Sequence, residues 1–596
     1  MHIDKAIQLA YEHYQAGNLQ QAEEICREIL KVQTDNAQVY NNLGIILDKK
    51  GQIDEAITCY RSALQFDPTL FDVYFNLGNA LKEKNQLDEA IINYRKALQL
   101  NPNLCDAYIN LGIALKGKHQ LDEALTCYQK ALQINPDNAY VYYNLGITLQ
   151  MKGQLDEAIT NYKRALQLNL DVYYVYNNLG LAFLEKGQFE DAIMCHQKAL
   201  EMNPNYSDAH NNLGWAFYCK GQFDEAIHCY RRALELDTDN ARAHWNISLY
   251  YLLTGNFTEG WKEYEWRWKL GELEYHARQD FPQLAWDGTS LQGRKLFIYT
   301  EQGVGDEIMF ASCLPEVIAQ ADLCIVECDN RMVPLFSRSF PKAKIIEPIS
   351  TYGTYPEELP RADVKVAIGS LPLFLRPSLS SFPQRHSYLI PDVQSVSLWR
   401  DRYANLREGL KIGISWRGGK TPLVQRTRST DLEQWSKLFS IKRAHFINLQ
   451  YGDCTAEIRE ATERFGITIH DWEDADPLKD LDGFAAQIAA LDLVITVDNA
   501  TVHMAGALGV PVWVLLSYAC EWRWMLKIED TPWYPSVRLF RQSSFGDWGG
   551  VFEHVYEALK NAVADRHVSM EQWRRYLKQS YQDAVRLTNT VISKAT

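Results

Sequence analysis

A chain of 596 residues is well beyond the roughly 250–300 at which a single core stops growing, so several domains are expected. Its formal net charge of −14 argues against a nucleic-acid or anionic-membrane partner, and a hydrophobic share of 46% suffices for packed cores. Twelve cysteines without a CxxC pair, an amphipathic N-terminus in place of a signal segment, and no apolar run of about 20 residues point to a reducing cytoplasm, no metal cluster and no membrane span.

From Ile3 to residue 274 the sequence repeats every 34 residues, the period of tetratricopeptide arrays. Leu-Gly recurs at Leu43-Gly44, Leu77-Gly78, Leu111-Gly112, Leu145-Gly146, Leu179-Gly180 and Leu213-Gly214. Small residues at Ala56 and Ala63, and at every later equivalent to Ala226 and Ala233, mark where paired helices touch. Gly51, Gly153, Gly187 and Gly221, with Asn85 in the same place, suit a left-handed turn between helices. Cys59, Cys127, Cys195 and Cys229 share one position and read as small buried hydrophobes. Seven repeats fill residues 3–240, and a degenerate eighth at 241–274 has Gly260 and Arg267 in place of the two alanines.

Such an array presents a concave face, and one residue type recurs where that face is expected: Asn42, Asn76, Asn110, Asn144, Asn178, Asn212 and Asn246. At about 100° per residue this position lies roughly 150° from the Leu-Gly face, which points it into the groove. A carboxamide complements a peptide unit, so the seven can grip an extended polypeptide; the alternative is that they bond only their neighbours. Here the array resembles the tetratricopeptide half of the O-linked N-acetylglucosamine transferases, and the resemblance implies a protein acceptor in the groove.

After the aromatic segment Trp261, Tyr264, Trp266 and Trp268, which reads as a cap, the pattern changes to short apolar strands alternating with helices. Strands are expected at 295–300, 323–327, 344–346 and 364–368, and after a proline-bearing link at 411–416, 445–449, 467–469, 493–497 and 510–516. This gives an α-solenoid at 3–274 followed by two Rossmann-like α/β halves, 275–385 and 386–566, with a terminal helix at 567–596 and a cleft between the halves. The stretch Leu493–Ser517 is one strand–helix–strand unit. Asp498, Asn499, Thr501 and His503 fall at its helix N-terminus, where backbone N–H groups attract anions, although Asp498 as a plain N-cap explains part of the pattern.

The segments GVGDEIMFASCLP, SWRG with RTRSTDLEQW, and VDNATVHMAGALGVPVWVLL resemble the heptosyltransferase-type GT-B enzymes over about residues 290–565, and the whole layout resembles bacterial tetratricopeptide proteins with such a C-terminal domain. The resemblance implies a catalytic base at Asp306 beside Gly305, a donor-phosphate contact at Arg428, and a diphosphate segment at Asp498, Asn499, Ala500, Thr501 and His503. Asn499 and Ala500 stand where Thr and Gly are usual, so a strained turn is expected there. The first half also looks short.

Sugar transfer from a nucleotide diphosphate to a hydroxyl needs a base and positive charge for the leaving diphosphate. Asp306 supplies the first, with Glu307 in reserve. Arg417 and Arg428, with Thr501, His503 and the helix N-terminus, supply the second as a fixed cationic pocket, so no metal or other cofactor is expected. Asp474-Ala475-Asp476 spells a DxD but lies in an acidic run and reads as solvated, and Trp522, Arg523 and Trp524 read as packing. The expectation is a metal-independent, inverting glycosyltransferase using a nucleotide-diphosphate sugar. The alternative is a non-catalytic scaffold whose α/β module only binds a nucleotide sugar or a partner protein.

Overall fold

The computed structural model describes residues 3–564 apart from 171, 271–280, 282, 350–360, 420, 473 and 527; the helix expected at 567–596 lies outside the described residues. These residues fall into two compact units, one ending at Pro204 and the other beginning at Asn205. No helix among them is long and apolar enough to cross a membrane.

The first unit is six antiparallel helix pairs, from Ile3–Gln15 with Leu19–Val32 to Tyr173–Glu185 with Phe189–Met202. Each Leu-Gly glycine is a socket. A Cβ on Gly44 would lie 2.5 Å from Cε1 of Tyr60, so only glycine admits the ring of the following helix, and the same holds at Gly78 with Tyr94, Gly112 with Tyr128 and Gly146 with Tyr162. In the sixth pair the ring is His196, against Gly180. Ala56 and Ala63 are fully buried where the paired helices meet. The left-handed turns occur as expected at Gly51, Gly153, Gly187 and Asn85, and also at His119, which the sequence did not single out.

The second unit opens with two more pairs, Ser207–Cys219 with Phe223–Leu236 and Ala241–Leu253 with Phe257–Tyr264. Two wholly parallel sheets follow. The first contains β1 (Leu284–Ala285), β2 (Lys295–Tyr299), β3 (Leu323–Glu327), β4 (Lys344–Ile346) and β5 (Val364–Ala367), in the order β1-β5-β2-β3-β4. The second contains β6 (Leu410–Ser415), β7 (Ala444–Asn448), β8 (Ile469–His470), β9 (Leu493–Val497), β10 (Val512–Leu516) and β11 (Val537–Arg541), in the order β11-β10-β9-β6-β7-β8. The edge strands β1 and β11 are additions to the strands read from sequence. In each sheet the chain runs outward on one side and then returns across its starting strand, which puts topological switch points between β2 and β5 and between β6 and β9. Ligand crevices in open parallel sheets form at such points, beyond the carboxyl ends of the strands.

One apolar core runs through the last helix pairs and both sheets. Trp261 is buried in it and donates its indole N–H to the Arg376 carbonyl at 2.9 Å. Arg267, standing where earlier repeats have alanine, is buried and pairs with Glu301 at 2.8 Å and with the Ser370 hydroxyl at 2.7 Å. At the turn glycine Gly221 a Cβ would lie 2.3 Å from the ring of Tyr518, and the Leu526 N–H bonds the Leu253 carbonyl at 2.9 Å. The aromatic segment thus does more than cap the repeats: it fixes the last two pairs to the α/β body.

Candidate active site

The chain leaves β2 into the helix Val304–Phe310, with Gly303 as N-cap, and leaves β9 into the helix Ala500–Ala507, with Asn499 as N-cap. Both strands are at switch points, and the two helices pack against each other. Gly305 makes this possible, since a Cβ there would lie 3.1 Å from Cδ2 of His503 and 3.6 Å from Cα of Ala500. The cleft so formed, about 660 Å³, is lined by Asp306, Arg428, Tyr451, Asp498 to Thr501 and His503 among others. Of the residues assigned to donor and base from sequence, all but Arg417 meet here.

The charges in the cleft form an alternating chain. Asp306 pairs with Arg523, Arg523 with Glu521, Glu521 with Arg428, and Arg428 with Asp498 at 3.4 Å. Burial works against the charge of Arg523, but Asp306 with Tyr264 and Asp498 outweighs it and holds the guanidinium above its usual range. Arg523 and Glu521 were missed as site residues. They follow β10 at the same sheet edge as Asp498, and that position was the available signal. His503 is buried, with Nδ1 2.9 Å from the Tyr534 hydroxyl. Burial first, and Arg523 second, push its pKa down to about 4, so it is a neutral hydrogen-bonding group at pH 7 and brings no positive charge to a diphosphate.

Several expectations need correction. Arg417 does not line the cleft: its guanidinium faces Glu457 at 3.2 Å and the Asp453 carbonyl at 3.1 Å, and only its own carbonyl helps, by accepting from Asn499 at 2.9 Å. The cleft is not a fixed cationic pocket, since its lining holds Arg331, Arg428 and Arg523 against Asp306, Glu307, Asp329, Asp498 and Glu521. The turn before the second helix carries no strain: Asn499 has φ −154°, an extended value, and its Oδ1 accepts from the Thr501 N–H at 3.0 Å. Asn499, not Asp498, is therefore the cap. Glu307 is buried, accepting from the Thr300 hydroxyl and from the Asp329 N–H at 2.9 Å, which ties β2 to β3. Asp474 is held bidentately by Arg402 at 2.9 and 2.8 Å, and Asp476 pairs with Lys479 at 3.0 Å. Trp522 packs on Trp261 and Tyr264, and Trp524 on His503.

The asparagine positions lie on the first helix of each pair, but the groove is not their sole outlook. Asn76 donates to Asn41 at 3.2 Å, Asn110 to Asn79 at 2.9 Å, Asn178 to the Tyr143 hydroxyl at 2.8 Å and Asn246 to Asn211 at 2.9 Å, each time to the preceding pair. Asn144 donates to the Tyr140 carbonyl at 2.9 Å, and Asn212 accepts from Asn211 at 3.2 Å. Asn42 accepts from Gln38 at 3.4 Å. Asn144, Asn212 and Asn246 are buried, which corrects the purely groove-facing expectation for those three. The angular argument placed the position relative to its own pair and took no account of the next inner helix stacking beside it.

Helix pairs at a 34-residue period, continued by two parallel α/β sheets, define a tetratricopeptide-repeat protein with an α/β body. Residues 5–246 match the family model of the cilia and flagella-associated protein 70 C-terminal domain. Over 317 residues the chain is 37% identical to protein FlbA of Caulobacter vibrioides, a match that takes in 51% of this chain and 53% of FlbA, so the chain spans about half the length of that curated relative. Among solved structures, MamA is 28% identical with a TM-score of 0.26, over 28% of this chain and 97% of MamA. YrrB, a TPR protein with an unusual peptide-binding site, is 26% identical with a TM-score of 0.27, over 31% of this chain and 95% of YrrB.

Proposed function

We propose that the chain is a GT-B-type glycosyltransferase, moving a sugar from a nucleotide-diphosphate sugar to a hydroxyl of a polypeptide held by the repeats. The observation that carries this reading is the convergence, in one cleft, of the carboxylate Asp306 from the switch point of the first sheet with Arg428 and the Asn499-capped helix beside the switch point of the second. Asp306 accepts the incoming proton, and Arg428 with the helix N-terminus stabilises the departing diphosphate. A diphosphate must first displace Glu521 and Asp498 from Arg428, which makes donor binding an exchange of anions.

That same occupancy of the arginine by carboxylates favours a second reading, a scaffold without turnover. A thermal-shift panel of nucleoside diphosphates separates the two, because a ligand at 100 times its Kd adds about 2.7 kcal/mol to stability. Stabilisation by one nucleotide class, followed by transfer of a labelled sugar to protein, supports the enzyme; no stabilisation by any nucleotide leaves the scaffold.

A further inference from the structure

Beside the cleft, with Arg428, Glu521 and Arg523 as a shared wall, lies a second cavity of about 270 Å³. Its opposite wall belongs to repeat helices: Trp215 and Tyr218 from Ser207–Cys219, Trp245 and Leu249 from Ala241–Leu253. The rings of Trp215 and Tyr218 are stacked, 5.2 Å between centroids and 10° between planes. Apolar cavities of roughly 150 Å³ bind benzene, so this one has room for a phenyl or indole ring.

The chemistry of the lining selects among flat ligands. Its polar groups spend their hydrogen bonds inside the protein: the Thr427 hydroxyl on the Leu423 carbonyl at 3.2 Å, the Ser517 hydroxyl on the Ala519 carbonyl at 3.2 Å, the Gln302 amide on the Tyr264 hydroxyl at 2.8 Å. The three charged groups pair with one another. A nucleobase is read through donors and acceptors on its edge, whereas this lining offers ring faces. Trp215 and Leu249 also lie one helical turn beyond Asn212 and Asn246, on the same helix faces as those asparagines.

We infer that this cavity seats an aromatic or large aliphatic side chain of the polypeptide acceptor, close to the hydroxyl that receives the sugar. The acceptor is then chosen by an apolar anchor as well as by its backbone. The anchor's role in transfer rests on the glycosyltransferase reading; its binding does not.

The test uses the full chain and saturation-transfer NMR with N-acetyl-phenylalaninamide, N-acetyl-glycinamide and uridine, cytidine, adenosine and guanosine as probes. The phenylalanine compound binds and the glycine compound does not. Leu249→Arg lowers the affinity for the phenylalanine compound at least tenfold while the affinity of the best nucleoside diphosphate stays within twofold. Thr427→Trp, which fills the cavity from the opposite wall, lowers it similarly. Displacement of the phenylalanine compound by a nucleoside from the wild-type protein, or full affinity in both variants, overturns the inference. Binding of the phenylalanine compound as described, with no nucleoside diphosphate binding anywhere, upholds the anchor and sinks the glycosyltransferase reading instead.

Discussion

His196 occupies the ring position that is tyrosine at 60, 94, 128, 162 and 230, and this one exchange makes the first unit acid-sensitive. The imidazole is fully buried; its Nδ1 is 3.1 Å from the Asn177 Oδ1, and its Nε2 has no hydrogen-bond partner. Burial lowers its pKa from 6.5 to about 3. The folded state therefore refuses a proton that the unfolded chain accepts, so the site is without cost above pH 6.5 and loses stability progressively as pH falls towards 3. Between pH 7 and pH 5 the loss is about 2 kcal/mol, which opens the helix Phe189–Met202 about 25-fold more often. His196→Tyr restores the ring found in the other pairs against its glycine socket and removes that dependence. Hydrogen exchange with a mass readout on the peptide spanning Phe189–Met202 compares the two proteins at each pH, so that intrinsic exchange rates cancel. Equal loss of protection at pH 5 in wild type and variant would refute the assignment to His196.

Asp306→Asn keeps nucleoside-diphosphate affinity within a few-fold and lowers sugar transfer by roughly 10² or more, whereas Arg428→Ala weakens donor binding itself; near-full transfer by Asp306→Asn means the base lies elsewhere. Transfer survives EDTA and the double change Asp474→Ala with Asp476→Ala, because those carboxylates are engaged by Arg402 and Lys479; strict dependence on magnesium or manganese, lost in the double variant, defeats the metal-free donor site. Changing Asn144, Asn178, Asn212 and Asn246 together to Ala lowers the melting temperature, since each forfeits a bond worth about 1 kcal/mol, and lowers transfer to protein acceptors. Unchanged transfer beside a lowered melting temperature shows the asparagines to be structural alone.

Periodicity carried the helix pairs almost to the residue, because a 34-residue repeat averages out local noise and its turns demand left-handed residues. The buried strands were legible as short apolar runs, β3, β4 and β9 to the residue. β11 was not, because arginines at 538 and 541 break its apolar run while β10 and the following helix bury its other face. Asp306 and Arg428 could be placed in one site from motif and topology alone. Their partners could not: Arg523 reaches Asp306 across 217 positions of chain, and the Trp-Arg-Trp setting disguised it as packing. Arg417 failed for the opposite reason, since two arginines flanking one loop look equivalent until Glu457 claims one of them.

The two helix pairs that open the second unit bear on how the protein can be divided. A fragment cut where the repeats end in sequence, near residue 274, would strip Trp261 and Tyr264 from Phe310, Trp522 and Trp533, and would leave Glu301 buried without its guanidinium. An unpaired buried charge of that kind costs about 3–5 kcal/mol, and a bared aromatic patch invites aggregation. A cut after Pro204 spares both, and keeps Trp215 and Trp245 facing Arg428. Residues that count as repeat by their period are thus, by their energetics, part of the α/β body.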